Sequence, residues 1–211
     1  MKLYSYWRSS AAYRVRIALN IKGLDYQYCP VNLLDKAHRR DDYLAVNAAG
    51  LVPTLTLDDG RTLTQSAAII QWLEAEYPQP ALLPADNFER ARVLAMANTV
   101  ACEIHPLNNM SVLHQLESQF GADAEQKNVW MHTWLERGFS SLETDLGSGP
   151  YCIGEAVTMA DLFLVPMVYN ALRFHYDLAT RQPKVHAVWQ ACNQLKAFID
   201  AQPEQQADAI T

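Results

Sequence analysis

Three prolines stand within seven residues in the segment PQPALLP, at positions 78–84, and they divide the sequence into two parts. Proline-rich segments are stiff and cannot continue a helix, so they are typical of linkers between domains. Strand-like and helical patterns alternate before this segment, whereas only helical patterns follow it. The 211-residue chain is therefore predicted to hold two domains, at 1–80 and 87–211, of which the second is all-helical.

The first part predicts a small mixed sheet with helices packed against it. Its patterns follow in the order strand 2–7, helix 11–22, strand 25–33, a polar segment 34–46, a hairpin around Asp59-Gly60 and helix 67–77. Pro30 indicates that the second strand is at an edge of the sheet, because proline cannot donate to a strand ladder. Ser66 stands immediately before the last of these helices and is predicted to cap it. The second part carries five helical patterns, at 88–105, 112–120, 124–146, 159–172 and 185–201.

Composition argues against several classes of function. The net charge of −6 disfavours general nucleic-acid binding, which relies on a basic surface. The sequence shows no run of about 18 apolar residues that would span a membrane, and no signal peptide is recognised. The four cysteines form no C-x-x-C pair, which is typical of a cytoplasmic protein with free thiols. The six histidines lack ligand spacing, so we predict no metal site.

The junction between the first strand and the first helix carries Arg8, Ser9 and Ser10. A helix N-terminus exposes unpaired backbone N–H groups and the positive end of the helix dipole, so anions are stabilised there. A hydroxyl at this point either caps the helix or donates a hydrogen bond to a bound anion such as a thiolate. The adjacent arginine adds a fixed positive charge and favours the second role.

Five segments, taken in order along the chain, resemble the zeta class of the glutathione transferase superfamily. They are YSYWRSSAAYRVRIAL at 4–19, LVPTL at 51–55, TQSAAII at 64–70, IHPLNN at 104–109 and VTMADLFLVP at 157–166. The resemblance implies an α/β thioredoxin-like N-terminal domain, an all-α C-terminal domain and glutathione as the cofactor. Ala11 departs from the family, because many members carry cysteine at this position. No mechanism that needs a protein thiol there is available to this chain.

The resemblance also implies roles for individual residues of the first domain. Ser9 would donate a hydrogen bond to the glutathione sulfur and lower its pKa, in agreement with the effect of helix N-termini on thiols. Ser10 is either a further ligand contact or part of the cap. The Val52–Pro53 peptide bond would be cis and present backbone groups to the bound tripeptide. Gln65 and Ser66 would hold the glutamyl carboxylate at a second helix N-terminus.

Five further residues are assigned, and two of them, His38 and His105, keep two interpretations each. His38 is a solvated surface histidine from the sequence alone, whereas the resemblance places it near the glycyl carboxylate. His105 is either a glutathione contact or a satisfied histidine at a domain or subunit contact. Asn109 and Ser111 match family positions near glutathione. Thr158, with an aspartate three residues later, is predicted to form a capping box, which is a structural role.

The implied activity is glutathione-dependent cis–trans isomerisation of a small cis-enedioic keto acid. Maleylacetoacetate is the first substrate expected, and maleylpyruvate is the alternative. Arg8 and Arg173 would bind the carboxylates of the substrate, although Arg173 alone also suits the C-terminus of its helix. The same site could instead conjugate or dehalogenate small electrophiles, and a non-catalytic binding protein is a third hypothesis. The resemblance further implies a homodimer.

Overall fold

The computed structural model describes residues 1–210, which form two compact units. The first unit combines Met1–Leu82 with the described part of Asn193–Thr211, and the second is Leu83–Cys192. The domain predicted at 87–211 ends at Thr211, which lies outside the described residues. Among residues 1–210, no helix combines the length and the apolar character needed to cross a membrane.

A four-stranded sheet in the order β2-β1-β3-β4 is the base of the first unit. Its strands are β1 (Lys2–Ser5), β2 (Gln27–Pro30), β3 (Thr54–Thr56) and β4 (Thr62–Thr64). β1 is parallel to β2 and antiparallel to β3, and β4 completes a hairpin with β3. β2 is an edge strand, as Pro30 predicts. Leu3 lies opposite Leu55, and both side chains are fully buried in the core.

The helices within the described residues are, in chain order, α1 (Ser10–Lys22), α2 (Asp41–Leu44), α3 (Ser66–Glu76), α4 (Asn87–Asn98), α5 (Met110–Phe120), α6 (Ala124–Asp145), α7 (Met159–Arg173), α8 (Leu178–Arg181), α9 (Pro183–Cys192) and α10 (Lys196–Ile199). Short 3-10 turns occur at Ala37–Arg39, His105–Leu107 and Pro203–Gln205. α1 ends at Gly23, whose φ of 64° places it in the left-handed region that glycine adopts readily. The predicted stop of this helix is confirmed, and its start lies one residue before the predicted position 11.

The last segment of the chain returns to the first unit and packs against α1. Arg16 donates from Nε to the Ala201 carbonyl at 3.0 Å, and Asn20 donates to the Ala197 carbonyl at 3.0 Å. Phe198 of α10 is fully buried in this unit. The single helix predicted over 185–201 is therefore wrong: α9 ends at Cys192, because the following apolar residues belong to a different core.

The linker is fixed to the first unit by a buried ion pair. Lys22 of α1 donates from Nζ to Glu74 of α3 at 2.6 Å and to the Pro80 carbonyl at 2.6 Å. The Glu74 carboxylate also accepts the backbone N–H of Leu82 at 2.9 Å. The Lys22 side chain is fully buried and that of Glu74 is 10% exposed. One lysine and one glutamate thus determine where the proline-rich segment leaves α3.

The second unit is organised around α7, in which every residue from Met159 to Val168 is buried. The predicted capping box is present at its start. Thr158 donates to Asp161 Oδ2 from its backbone N–H at 2.7 Å and from its hydroxyl at 2.9 Å, and the Cys152 N–H donates to Oδ1 at 2.8 Å. Burial raises the pKa of this carboxyl group. The three donors satisfy a polar group that would otherwise be costly to bury.

The helix predicted over 88–105 changes its winding along its length. α4 continues into a π-helical segment, Thr99–Ile104, and then into the 3-10 turn. Ile104 lies against Gly138 of α6, so closely that a Cβ on Gly138 would stand 2.2 Å from Ile104 Cγ1. Trp130 of α6 also donates from its indole N–H to the Leu107 carbonyl at 2.8 Å. Helix α6 therefore fixes the segment that leads to Asn109.

Candidate functional site

The N-terminus of α1 displays the two predicted serines. Ser9 is the N-cap residue, and its Oγ accepts the N–H of Ala12 at 3.2 Å. A serine hydroxyl that accepts one hydrogen bond still has its own proton to donate. Ser10 is the first residue of the helix, and both serines are half-buried. The first turn holds no acidic residue, so nothing there opposes the positive end of the 13-residue helix.

Arg8 immediately precedes this N-terminus and is half-buried. Its guanidinium lies over the Trp7 ring, 4.7 Å from the ring centroid, and Nη2 stands 3.4 Å from the hydroxyl of Tyr6. Stacking on an aromatic face orients a guanidinium while leaving its edge for other partners. The structure thus places a cation directly before the capping serine.

The loop before β3 contains a cis peptide bond between Val52 and Pro53, which confirms the prediction. Two buried polar side chains hold this loop. Tyr43 donates to the Leu51 carbonyl at 2.6 Å and contacts Thr54 Oγ1 at 3.0 Å. Asn47 donates to the same two atoms at 2.8 and 3.1 Å. Burial raises the pKa of Tyr43, which keeps its hydroxyl protonated at neutral pH.

His38 lies in the 3-10 turn before α2 and is half-buried. Burial and then the neighbouring Arg39 lower its pKa, so the imidazole is neutral at pH 7. Its Nδ1 is a buried atom without a hydrogen-bond partner among the described residues. Buried polar atoms of this kind usually have a hydrogen-bond partner in the protein or in ordered water.

The N-terminus of α3 differs from the prediction. Ser66 is the first residue of the helix, and Gln65 takes the N-cap position with a φ of 68°. Ser66 is therefore not the cap; its Oγ instead accepts a hydrogen bond from Nη1 of the buried Arg14 at 3.3 Å. A positive φ in a residue other than glycine stores strain and is common at binding sites. Gln65 itself is exposed.

The second unit holds the other predicted residues. Asn109 is the N-cap of α5, where its Oδ1 accepts the N–H of Val112 at 3.0 Å and the hydroxyl of Ser111 at 2.6 Å. His105 begins the 3-10 turn and is half-buried. Between them, Asn108 is 4% exposed, and its Oδ1 has no hydrogen-bond partner among the described residues.

Arg173 is the last residue of α7 and is exposed. It donates to Asn170 Oδ1 at 3.3 Å and lies 5.4 Å from the centroid of the Phe174 ring. It also lines a cavity of about 640 Å³ in the second unit, together with Lys127 and His175. The helix C-terminal position predicted for Arg173 is confirmed, and the cavity beside it is of the size that holds small ligands.

The structure therefore distributes the predicted site residues over both units. The first unit holds Arg8, Ser9, Ser10, His38, Val52, Pro53, Gln65 and Ser66. The second unit holds His105, Asn109, Ser111 and Arg173. The sequence analysis did not identify Arg14, Tyr43 and Asn47. Their buried side chains hydrogen-bond to Ser66 and to the loop that contains Val52 and Pro53. No group of three or more potential metal ligands is found within residues 1–210.

Comparison with known proteins agrees with this arrangement. Residues 3–81 match the family described as glutathione S-transferase, N-terminal domain, and residues 125–201 match glutathione S-transferase, C-terminal domain. The chain is 47% identical over 214 residues to maleylpyruvate isomerase of Ralstonia sp, covering 99% of this chain and all of that protein. It is 46% identical over 210 residues to maleylacetoacetate isomerase of Pseudomonas aeruginosa, covering 99% and 98%.

Solved structures give the same result. A holo structure of maleylpyruvate isomerase, described as a bacterial zeta-class glutathione S-transferase, superposes with a TM-score of 0.96 at 46% identity and covers all of both chains. A maleylacetoacetate isomerase from Anaeromyxobacter dehalogenans with bound glutathione gives 0.89 at 42% identity, with 99% and 97% coverage. The similarity spans both units and the whole described length, and the chain therefore belongs to the zeta class of the glutathione S-transferase family.

Proposed function

We propose that the protein is a glutathione-dependent cis–trans isomerase whose substrate is a small cis-enedioic keto acid, with maleylacetoacetate as the first candidate. The observation that carries the proposal is the Ser9 hydroxyl at the N-terminus of α1, in a first turn without acidic residues. The names of the relatives, which are isomerases of this substrate class, support it.

The residues of the first unit fit glutathione, a tripeptide with a thiol and two carboxylates. The N-termini of α1 and α3 each offer backbone N–H donors, and a serine stands at each of them. The buried and unpartnered Nδ1 of His38 needs a polar partner that the described residues do not supply. Arg14 adds a buried positive charge behind Ser66. The donor set thus matches the anionic groups of the tripeptide.

Ser9 carries the chemistry at the sulfur. Glutathione, when bound, supplies a thiolate that adds to the conjugated cis double bond and leaves again after rotation about the resulting single bond. Ser9 donates its hydroxyl proton as a hydrogen bond to that sulfur, and the dipole of α1 favours its charged form. Ala11 offers no competing thiol. Ser10 contributes either its hydroxyl or its backbone N–H to the same N-terminus.

The remaining residues orient the tripeptide and the substrate. Gln65 and Ser66 hold the glutamyl end, His38 the glycyl end, and the backbone of Val52 pairs with the cysteinyl residue. His105, Asn109 and Ser111 are proposed as further contacts from the second unit. Two arginines complete the proposed set: Arg8 and Arg173 bind the carboxylates of the substrate and stabilise the negative charge that develops on its keto oxygen.

Maleylpyruvate is the second candidate substrate, because the two relatives at 47% and 46% identity carry one activity each. Conjugation or dehalogenation of small electrophiles uses the same thiolate and remains the alternative reaction. A non-catalytic binding role is disfavoured by the retained serines and arginines.

We also propose a homodimer, in which apolar side chains such as Leu51 and Phe88, 51% and 72% exposed, become covered. The four free cysteines support a cytoplasmic location.

The test is to follow isomerisation of maleylacetoacetate and of maleylpyruvate by the purified protein, with and without glutathione. We expect conversion only with glutathione. Ser9→Ala should lower kcat by about 100- to 1,000-fold, the usual effect of removing one donor to a developing anion, while glutathione affinity changes far less. Ser148→Ala, at an exposed loop serine of the second unit, is the control and should leave both values unchanged.

Each other outcome changes the proposal in a defined way. Conversion without glutathione would refute the role of the cofactor. Equal losses of kcat and glutathione affinity in Ser9→Ala would mean that Ser9 only shapes the site. If neither keto acid reacts but aromatic halides are conjugated, the enzyme is a conjugating transferase. Sedimentation of a single-chain species at micromolar concentration would contradict the homodimer.

A further inference from the structure

Both backbone polar groups of Trp7, the residue just before Arg8 and Ser9, are held by side chains outside the loop. The backbone N–H of Trp7 donates to Asp208 Oδ2 at 3.1 Å, across a separation of 201 residues. The carbonyl of Trp7 accepts from Arg16 Nη2 at 3.0 Å. Both groups of the residue that precedes Arg8 therefore have fixed partners.

Asp208 is itself held in place. Its Oδ1 accepts the hydroxyl of Tyr28 on the edge strand β2 at 2.6 Å. Burial, and then the hydrogen bond to Asp208, raise the pKa of Tyr28, so its hydroxyl stays protonated and remains a donor. One carboxylate thus joins β2, the strand-to-helix loop and the C-terminal segment of the chain, all within the first unit.

Arg16 also joins the strand-to-helix loop to the C-terminal segment through hydrogen bonds. Its side chain is 0% exposed, and it donates to the Tyr6 carbonyl at 3.5 Å, to Ser5 Oγ at 3.2 Å and to the Ala201 carbonyl at 3.0 Å. Burial lowers its pKa, and the carboxylate of Asp208 is among the groups that oppose this shift. A buried cation is retained only when hydrogen bonds and a nearby opposite charge compensate it.

We propose that Asp208 is a positioning residue for the catalytic loop, because it fixes the Trp7 peptide and thereby the direction in which Arg8 and Ser9 leave β1. The proposal rests on the proposed function of Ser9. Ser9 follows directly in the same turn, since its N–H donates to the Tyr6 carbonyl at 2.9 Å. A displacement of about 1 Å in such a loop is enough to lower catalysis by about 100-fold.

The two roles of Asp208, positioning of the loop and direct electrostatics, predict opposite changes in the pKa of the bound glutathione thiol when this carboxylate is removed. A negative charge near the sulfur disfavours the thiolate, so removing the charge alone would lower the pKa of the bound thiol. Loss of the correct Ser9 position removes a hydrogen bond to the thiolate and would raise that pKa. The sign of the change therefore separates the two roles.

The experiment compares Asp208→Ala and Asp208→Asn with the unaltered protein and with Asp200→Asn. The control removes a more exposed carboxylate, ion-paired with Lys196, from the same C-terminal segment. Hydrogen–deuterium exchange of the peptide that contains Trp7 is measured without glutathione. The pKa of bound glutathione is then measured from the ultraviolet absorbance of its thiolate in the binary complex, and melting temperatures are recorded for every variant.

We expect Asp208→Ala to accelerate exchange at the Trp7 amide at least tenfold and to raise the pKa of the bound thiol by about 0.5–1 unit, which lowers kcat below that pKa by about 3- to 10-fold. Asp208→Asn keeps an oxygen that accepts the Trp7 N–H. Its exchange rate at Trp7 and its thiol pKa should therefore lie between those of the unaltered protein and those of Asp208→Ala. Asp200→Asn should match the unaltered protein in both measurements.

A thiol pKa that is unchanged or lowered in Asp208→Ala would overturn the proposal, whatever the melting temperature. An unchanged rate of exchange at Trp7 would overturn it independently. If the unaltered protein itself fails to lower the thiol pKa of glutathione, the proposed function of Ser9 is wrong, and the exchange experiment alone decides whether Asp208 holds the loop.

Discussion

Replacing Gly138 by alanine tests how α6 fixes the segment that leads to Asn109. An alanine Cβ at this position would stand 2.2 Å from Cγ1 and 2.3 Å from Cδ1 of the buried Ile104. Carbon atoms in good contact are about 3.5–4.0 Å apart, so the two elements must separate or Ile104 must change its rotamer. Overpacking of this kind costs about 1–3 kcal/mol, against a gain of about 1 kcal/mol from the higher helix propensity of alanine.

The net expectation for Gly138→Ala is a loss of up to about 2 kcal/mol in the free energy of unfolding. The sign should reverse when Ile104 is also shortened. Ile104→Ala removes both close atoms and leaves a Cβ at 3.7 Å, so the added methyl group at position 138 then meets ordinary contacts. In that background Gly138→Ala should stabilise the protein by up to about 1 kcal/mol, because only the propensity term remains.

The assay is urea unfolding of the four members of this double-mutant cycle, followed by near-ultraviolet circular dichroism. Gly147→Ala is the control, because a Cβ there would meet its nearest atoms at 3.6 Å and should change stability little. Glutathione binding by calorimetry shows whether the displaced segment weakens the contacts proposed for Asn109. If Gly138→Ala has the same effect in both backgrounds, the close approach does not limit the packing of α6, and the reasoning is refuted.

Three further predictions concern stability. Glu74→Ala leaves the buried ammonium of Lys22 without its ion-pair partner, and urea unfolding should show a loss of about 3–5 kcal/mol, whereas a loss below about 1 kcal/mol would contradict the role of this pair. Thr158→Ala should lower the unfolding free energy by about 0.5–2 kcal/mol and leave the glutathione Kd unchanged in calorimetry; a large loss of affinity in the folded variant would disprove a structural role. The hydrogen bond from Tyr176 is the largest cause that lowers the pKa of Glu136 below its ordinary 4.5, so this carboxylate stabilises the fold above that value and its contribution disappears as the pH falls through the lowered pKa. The difference in stability between the unaltered protein and Glu136→Gln should therefore shrink as the pH is lowered from neutral through the range below 4.5, and a constant difference would contradict it.

Local backbone chemistry made much of the first unit predictable. Gly23 ends α1, Pro30 marks an edge strand, and Asp59-Gly60 closes the hairpin, because each of these residues restricts the backbone wherever it occurs. The hydroxyl of Ser9 at the start of α1 follows from the same rules. The prediction that Ser66 caps α3 is wrong for a related reason. Gln65 takes the cap position with a positive φ that nothing in its own chemistry favours.

Long-range partners could not be predicted from local patterns. Arginine is normally exposed, so no pattern indicates that Arg14 and Arg16 are buried and bind Ser66 and the Trp7 carbonyl. The helical periodicity of 185–201 is real, but periodicity does not report which core a helix joins. The contact between Trp7 and Asp208 depends on the complete fold, and it is invisible in any window of the sequence.

The return of the C-terminal segment has a consequence for how the protein is made. Trp7 and Asp208 are 201 residues apart, and a ribosome adds about 5–20 residues per second. The loop that carries Ser9 is thus synthesised roughly 10–40 s before its carboxylate partner. The sheet and α1 can form early, but the strand-to-helix loop acquires its final support only after the whole second unit has been translated. Biosynthesis thereby delays a fully assembled thiolate site until the segment that carries Asp208 has been translated.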